Sequence, residues 1–279
     1  MNLFASEILS IFLPANQICG DLAHGCRLAC LLPLSPGGVV QHEPGHDEKS
    51  SGILAIGNRT GTLSRAHIMS RNFRRKYYDI FSRFYDSFVA LHSGDRGGVI
   101  REEFSAKIGL REGDSVLDIC TGTGSLLLSL HRHVGVEGRV LGIDFSMGML
   151  QAAKAKTASH PNIHLVQADA AELPFKQEKL NLVTCSHAFY ELKGDTRDKC
   201  LREVSRVLKV GGRFLMMEHD VPKNFFIRFL FYLRIFSMGS RKALAILKSE
   251  EMVFRESFAS VVRTTTETGR SKIFICQKA

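Results

Sequence analysis

The chain has 279 residues, of which 44% are hydrophobic and 23% are charged, and its formal net charge is +9. This composition is ordinary for a soluble globular protein, and the length can hold one large domain or two small ones. The basic surplus does not predict nucleic-acid binding, because no run of Lys and Arg alternates with aromatic side chains that could stack on bases.

Seven cysteines are spread along the chain, and none of them forms a C-x-x-C pair. The pattern favours small buried side chains in a reducing compartment, so we expect a cytoplasmic protein. Cys26, Cys30 and His24 are too few to make a complete zinc ligand set, and no metal site is predicted.

Residues 1–68 differ from the rest of the chain in charge and in pattern. They carry 4 Lys and Arg against 5 Asp and Glu, so their net charge is −1 and the remainder carries +10. The apolar run from Leu3 to Leu13 is too short to span a bilayer and lacks the basic start of a secretory signal. We interpret 1–68 either as a poorly ordered extension or as residues upstream of a wrongly assigned translation start, with Met69 as the true start. Residues 69–279 are interpreted as the folded domain.

An aromatic helix is predicted at the start of that domain. Phe73, Tyr77, Phe81, Phe84 and Phe88 recur at helical spacing, which favours a helix that packs through this aromatic face.

Downstream of Val99, strands and helices alternate, and this alternation predicts an α/β domain with a doubly wound parallel sheet. A closing hairpin follows at 258–266 and 272–277. The predicted elements before it are helix 99–110, strand 115–119, helix 123–133, strand 139–143, helix 146–157, strand 163–168, strand 180–186, helix 195–208 and strand 212–218.

A glycine turn lies between the first of these strands and its helix. Gly122 and Gly124 let the main chain lie against a ligand, and Asp144 ends the next strand, where a carboxylate can accept hydrogen bonds from ribose hydroxyls. A dinucleotide site requires a third glycine, but Leu127 occupies that position. Asp118 would also repel a pyrophosphate, whereas it suits a ligand with an ammonium and a sulfonium. A nicotinamide oxidoreductase is therefore the weaker interpretation.

The pattern D-x-C-x-G-x-G, with Asp144 closing the next strand, resembles the first two motifs of class I S-adenosylmethionine-dependent methyltransferases. Cys120 stands where that family usually has its first glycine. Segments 162–175, 180–187 and 203–212 look like the later motifs of the family, in the same order. The nearest likeness is to the ubiquinone/menaquinone-biosynthesis-like subgroup, methyltransferase type 11.

This resemblance implies a Rossmann-like seven-stranded sheet in the order 3-2-1-4-5-7-6, with the last strand antiparallel and helices on both faces. It also implies S-adenosyl-L-methionine as cofactor. Asp118 would order the turn or sit near the ammonium, and Tyr85 would belong to a lid. Asp144 would hold the ribose, unless it only caps the following helix, and Asp169 would accept from the adenine, unless it only caps a turn. By position, the implied cofactor-binding residues are Asp118, Cys120, Gly122, Gly124, Asp144, Met147, Asp169, Ala170, Ser186 and Tyr85.

A general base is expected where strands end, because open parallel sheets bind ligands at their carboxyl edge. His187, Tyr190, Glu191, His219 and Asp220 all lie at such positions. Histidine titrates near neutral pH, so His187 and His219 are the predicted catalytic residues.

Phe225–Phe236 holds ten apolar or aromatic side chains and two arginines. Three interpretations remain open for this segment: a buried helix, an apolar wall or lid over the substrate, or a helix on a membrane surface. The segment favours a small apolar methyl acceptor, such as a quinol precursor or a lipid-like molecule. The alternative function is a non-catalytic module that binds S-adenosylmethionine for regulation.

Overall fold

A computed structural model describes residues 53–55, 75–86, 98–192, 195–220, 225, 228–229, 241–269 and 271–279. For 53–55 and 241–248 only the backbone is described. The predicted segment Phe225–Phe236 and the predicted extension 1–68 therefore lie mostly outside the described residues.

Eight strands form one sheet in the described part of the chain. In chain order they are β1 (Ile53–Ala55), β2 (Ser115–Ile119), β3 (Arg139–Asp144), β4 (Ile163–Gln167), β5 (Leu180–Ser186), β6 (Leu208–His219), β7 (Ser260–Thr265) and β8 (Ser271–Gln277).

Six helices accompany these strands within the described ranges. They are α1 (75–86), α2 (Val99–Ile108), α3 (Ser125–Val134), α4 (Met147–Thr157), α5 (Asp195–Val207) and α6 (Arg241–Ser257), with a single 3₁₀ turn at Phe189–Glu191. None of the described helices is both long enough and apolar enough to cross a membrane.

The strand order is β1-β4-β3-β2-β5-β6-β8-β7. Strands β1 to β6 pair in parallel, β8 pairs antiparallel with β6, and β7 pairs antiparallel with β8. Counted from β2, this is the predicted order 3-2-1-4-5-7-6 with the last strand antiparallel, so the predicted fold is confirmed. The edge strand β1, which pairs with β4 through three residues, was not predicted.

Helices cover both faces of the sheet because both faces are apolar. On one face, Phe104 of α2, Leu127 and Leu130 of α3 and Leu150 of α4 pack on the strands. On the other, Leu201 and Val204 of α5 and Phe254 of α6 do the same. This is the doubly wound arrangement, and it leaves the carboxyl ends of the parallel strands to form one edge where a ligand can bind.

Helix α1 confirms the predicted aromatic helix, but the predicted packing face is wrong in part. Tyr77 and Phe84 are exposed, at 52% and 65%. The predicted Phe81 is half-buried, and Tyr78, Ser82 and Tyr85 also turn inward, while Phe73 and Phe88 lie outside the described residues. The helix rests on polar contacts with the sheet edge, described below, and periodicity of aromatic residues could not distinguish its two faces.

Candidate active site at the carboxyl edge of the sheet

The glycine turn follows β2 and has the left-handed backbone that its sequence requires. Gly122 and Gly124 have φ values of +55° and +75°. A Cβ atom at Gly124 would lie 2.9 Å from the Cβ of Ala153, whereas one at Gly122 would meet nothing within 4 Å. Gly124 therefore allows α3 and α4 to pack closely, and Gly122 borders open space at the sheet edge.

Cys120 also has a left-handed backbone, with φ of +54°. An L-residue pays about 1–2 kcal/mol for this conformation, which is a physical reason for glycine at this position in similar turns. The thiol of Cys120 hydrogen-bonds to that of Cys185, and this contact, together with burial, raises the pKa of Cys185 well above its usual value. Cys120 thus packs into the sheet, and contact with a cofactor remains a prediction.

Asp118 lies beneath the turn, where only 1% of it is exposed. The hydroxyl of Thr121 donates to its Oδ2 at 2.7 Å, and the hydroxyl of Thr184 donates to its Oδ1 at 2.8 Å. Burial raises the pKa of Asp118 to about 7, while the two threonine hydroxyls oppose the rise. These contacts correspond to the first of its two predicted roles, ordering the turn.

Asp144 ends β3 and joins the glycine turn to the start of α4. Its Oδ2 accepts the amide N–H of Gly122 and its Oδ1 accepts that of Ser146, each at 2.9 Å. Burial raises the pKa of Asp144 to about 6; the two amides oppose this rise, and the charge of Glu191 adds to it. The helix cap is Ser146, whose hydroxyl accepts the amide of Met149, and Asp144 holds the amide of that cap residue. Ribose binding by Asp144 remains a prediction beside this structural role.

Helix α1 crosses this edge and contacts both loops. Asp79 Oδ1 accepts the Ser146 hydroxyl at 2.6 Å and the Gly148 amide at 2.9 Å. The hydroxyl of Tyr78 donates to Glu191. Sequence reasoning missed Asp79 and Glu191 as partners of the lid, because their contacts are 67 or more residues away along the chain.

The second half of α1 lies over the glycine turn. Asp86 accepts the hydroxyl of Thr123 at 2.6 Å and pairs with Lys156 at 2.9 Å. Burial raises the pKa of Tyr85 to about 12, and the nearby charges of Glu191 and Asp144 contribute to that rise. The structure therefore brings Tyr85 near Asp144, as expected of a lid residue; its contact with a cofactor remains a prediction.

The other predicted cofactor residues lie along the same edge. Met147 opens α4, and Ser186 ends β5. Asp169 and Ala170 follow β4, and Oδ1 of Asp169 accepts the amide of Ala171 at 2.9 Å, which is the turn-capping contact considered as its alternative role. No described contact distinguishes that role from adenine recognition.

His187 and His219 meet at the ends of β5 and β6. Their ring centroids are 4.4 Å apart, and Nε2 of His187 lies 3.1 Å from the Ser271 hydroxyl. The ring of Tyr190 is 6.2 Å from that of His219. Asp220, another candidate base, is instead held by Arg263 at 3.2 Å. The two predicted catalytic histidines are thus brought together, but their role in catalysis is a prediction.

An α/β sheet of this order, with a glycine turn and an acid at neighbouring strand tips, defines the methyltransferase class of Rossmann-like folds. Solved structures agree on the fold. A SAM-dependent methyltransferase from Aquifex aeolicus superposes with a TM-score of 0.53 at 19% identity, covering 64% of this chain and 89% of that one. A chain from the Haloferax volcanii complex that contains the Trm112 methyltransferase activator superposes with a TM-score of 0.56 at 21% identity, covering 72% and 96%.

The chain belongs to the ubiE/COQ5 methyltransferase family, whose model matches residues 70–245. Demethylmenaquinone methyltransferase of Staphylococcus aureus is 36% identical over 147 residues. That match covers 53% of this chain and 60% of the relative, so the chain spans less than two thirds of the length of this curated relative. The predicted membership of the ubiquinone/menaquinone subgroup is confirmed.

Proposed function

We propose that the protein transfers a methyl group from S-adenosyl-L-methionine to a small apolar acceptor of the quinol type. The observation that carries the proposal is the arrangement of Asp144. Its Oδ1 and Oδ2 accept the amides of Ser146 and Gly122, and the amide of Phe145 also lies close enough to lower its pKa. These amides orient a carboxylate at the tip of β3, where it can accept hydrogen bonds from the vicinal hydroxyls of a ribose.

The surrounding residues fit the rest of the cofactor. The space beside Gly122 is open, so the main chain there can lie against the methionine portion. Glu191 is close enough to Asp144 to raise its pKa, Asp144 is close enough to Tyr85 to raise the pKa of the tyrosine, and α1 would cover the bound molecule. When bound, the sulfonium supplies a methyl carbon that is already activated for displacement, so the task of the protein is alignment.

A quinol acceptor must lose a proton when it is methylated at carbon or oxygen. His187 and His219 lie beside each other at the same edge as Asp144, and an imidazole can take such a proton near neutral pH. The name of the Staphylococcus aureus relative, demethylmenaquinone methyltransferase, supports an acceptor of this chemical class.

Two binding and activity measurements test the proposal. Titration calorimetry with S-adenosyl-L-methionine is expected to give a single site, and Asp144→Asn is expected to weaken it. Incubation with methyl-labelled donor and a short-chain demethylmenaquinol, kept reduced, is expected to label the quinol. Donor binding without transfer to this or any extracted acceptor would favour the alternative, a non-catalytic regulatory module, for which the strained Cys120 is the supporting observation.

Peripheral membrane contact is proposed for the segment that begins at Phe225. Phe225 and Phe229 are exposed, at 76% and 57%, and the guanidinium of Arg228 lies 6.0 Å from the Phe225 ring. Exposed phenylalanines beside an arginine suit an anionic bilayer surface. Flotation with vesicles containing anionic lipid is expected to carry the protein upward, and Phe225→Ser with Phe229→Ser is expected to abolish this. Equal flotation of both would contradict the proposal.

A further inference from the structure

Three ionisable side chains are buried behind the histidine pair. Glu218, Glu250 and Lys272 are 0%, 1% and 3% exposed. Nζ of Lys272 lies 2.5 Å from Oε2 of Glu250, and Lys272 stands opposite Glu218 in the pairing of β6 with β8. Buried ion pairs contribute little net stability, because desolvation offsets their attraction, so this cluster calls for another explanation.

The hydrogen bonds of Glu218 suggest that explanation. Its Oε1 accepts the amide of His219 at 2.9 Å, and its Oε2 accepts the amide of Tyr190 at 3.4 Å. Tyr190 belongs to the 3₁₀ turn after β5, and His219 ends β6. One carboxyl group therefore joins the two segments that carry the candidate catalytic side chains.

The same cluster reaches the second histidine. Ser271, the neighbour of Lys272, places its hydroxyl 3.1 Å from Nε2 of His187, and the amide of His187 donates to the carbonyl of Met217 at 2.8 Å. His187 is held with φ of +51°, a conformation that costs an L-residue energy and persists only under firm constraint. The imidazole pair is thus fixed from β5, β6 and β8 together.

The charges in this cluster are strongly coupled. Burial raises the pKa of Glu218 well above its usual value, and the charge of Glu250 adds to this, while the amides of His219 and Tyr190 and the charge of Lys272 oppose it. Burial also raises the pKa of Glu250 to about 7, opposed by Lys272, Arg197 and Arg263. Burial therefore opposes the charge of both carboxyl groups, and Lys272 lowers the pKa of each.

We propose that Glu218 is a positioning residue for methyl transfer, which fixes the spacing of the His187–His219 pair by binding the main chain of Tyr190 and His219. The Lys272–Glu250 pair lies near enough to affect the charge of its carboxyl group. This inference rests on the proposed function, because it assigns the histidines to the acceptor side of the site. It adds a residue that would contact neither donor nor acceptor.

The kinetic test uses Glu218→Gln, with Glu251→Gln as the matched control. Glutamine keeps the shape but has a single uncharged acceptor oxygen, and Glu251 is a surface residue that pairs with Arg255. We expect the variant to bind S-adenosyl-L-methionine within about twofold of the unmodified protein. We expect its kcat on a short-chain demethylmenaquinol to fall about tenfold or more and its pH profile to shift. An unchanged kcat, or equal losses in donor affinity, melting temperature and kcat, would overturn the positioning role.

A second measurement needs no variant. In the unmodified protein, the amides of Tyr190 and His219 should be protected from hydrogen exchange, and their resonances should move together as pH passes through the titration of the carboxyl pair. Rapid exchange of the Tyr190 and His219 amides in a protein that binds donor would contradict the positioning role of Glu218 and leave the proposed function standing. Failure to bind donor, with both amides protected, would contradict the proposed function.

Discussion

Asp144 shows how far one residue can be understood from its position in the sequence. An acid at the tip of the second strand predicted a ribose contact, and the structure adds the amides of Gly122 and Ser146 that hold the carboxylate. The Ser146 amide is a local contact, but the Gly122 amide was not foreseeable, because the tertiary fold alone brings Gly122 to residue 144. Together these amides orient the carboxylate at the strand tip, which is what a binding role requires.

Donor affinity should depend on pH through this carboxyl group. Its pKa is raised to about 6, and the ionised form is the one that accepts two hydroxyl hydrogens and favours a cationic sulfonium nearby. Affinity is therefore expected to be full above pH 7 and to fall as pH drops through about 6. Asp144→Asn should lose roughly 1–3 kcal/mol at pH 7.5 and should not show this dependence. Calorimetry between pH 5 and pH 8 measures the donor affinity of the unmodified protein and of the variant. If the two affinities depend on pH in the same way, Asp144 does not hold the ribose.

Gly124 is predicted to be far less replaceable than another glycine of similar backbone conformation. Gly124→Ala puts a methyl group 2.9 Å from Ala153 at φ of +75°, whereas Gly211→Ala at φ of +73° meets nothing within 4 Å. The control should lose about 1 kcal/mol of unfolding free energy from strain alone. Gly124→Ala should lose about 2 kcal/mol or more, because α4 must also move. Urea unfolding of both variants checks the difference, and equal losses would show that packing at Gly124 is unimportant.

Asp118 illustrates what the sequence could not supply at this scale. The acid before the turn was recognisable, but its second partner, Thr184, lies 66 residues away on β5. The local sequence shows that a carboxylate is present before the turn. Which hydroxyls donate hydrogen bonds to that carboxylate depends on which distant strands pair with β2. The same limit applies to Glu218, Glu250 and Lys272, whose contacts depend on β6, α6 and β8 lying together.

At the scale of elements, local signals predicted most strands and helices closely. Strands β2 and β5 have the predicted bounds, and α4 and α5 differ from prediction by one residue at one end. Strand β6 begins four residues earlier than predicted, at Leu208, because Leu208 still pairs with Leu180 and a register shift before Leu182 accommodates the glycine pair 211–212. Helix α6 was missed, although Ser240 before its first residue and the spacing of Leu244 and Leu247 are sequence signals for a helix.

The docking of α1 depends on Asp79 rather than on exposed aromatic side chains. Asp79→Ala removes the acceptor for the Ser146 hydroxyl and the Gly148 amide. We expect hydrogen exchange across 75–86 to accelerate about tenfold, with donor affinity reduced and the unfolding free energy lowered by about 1 kcal/mol. Ile80→Ala, a neighbouring change at a side chain that is 70% exposed, should leave exchange unchanged. If exchange in 75–86 is the same in both variants, Asp79 does not hold the helix.

At the scale of the whole molecule, the order of the sequence motifs was enough to predict seven strands of the sheet. A parallel sheet with helices on both sides must have two apolar faces, so this feature followed from the same prediction. The short edge strand β1 could not be predicted, because three residues are too few to show a strand pattern. Its pairing with β4, beside α4, ties the predicted extension 1–68 to the folded domain.

A chain that begins at Met69 is expected to fold and to bind donor like the complete sequence. Among the residues whose side chains the structure describes, the core clusters begin at Ile100, and β1 contributes three residues at a sheet edge. The two chains should differ by about 1 kcal/mol or less in unfolding free energy, and their donor affinities should agree within about twofold. Circular dichroism and calorimetry compare them, and a chain 69–279 that aggregates or fails to bind would show that the boundary is misplaced.

The central claim concerns where the adenosine portion of the donor sits, and a crystal structure with S-adenosylhomocysteine tests it most directly. The two ribose hydroxyls are predicted to lie within hydrogen-bonding distance of Oδ1 and Oδ2 of Asp144, with the amino-acid portion against Gly122 and α1 closed above. Density for the ligand at another place on the sheet edge, or none at saturating concentration, would contradict the account.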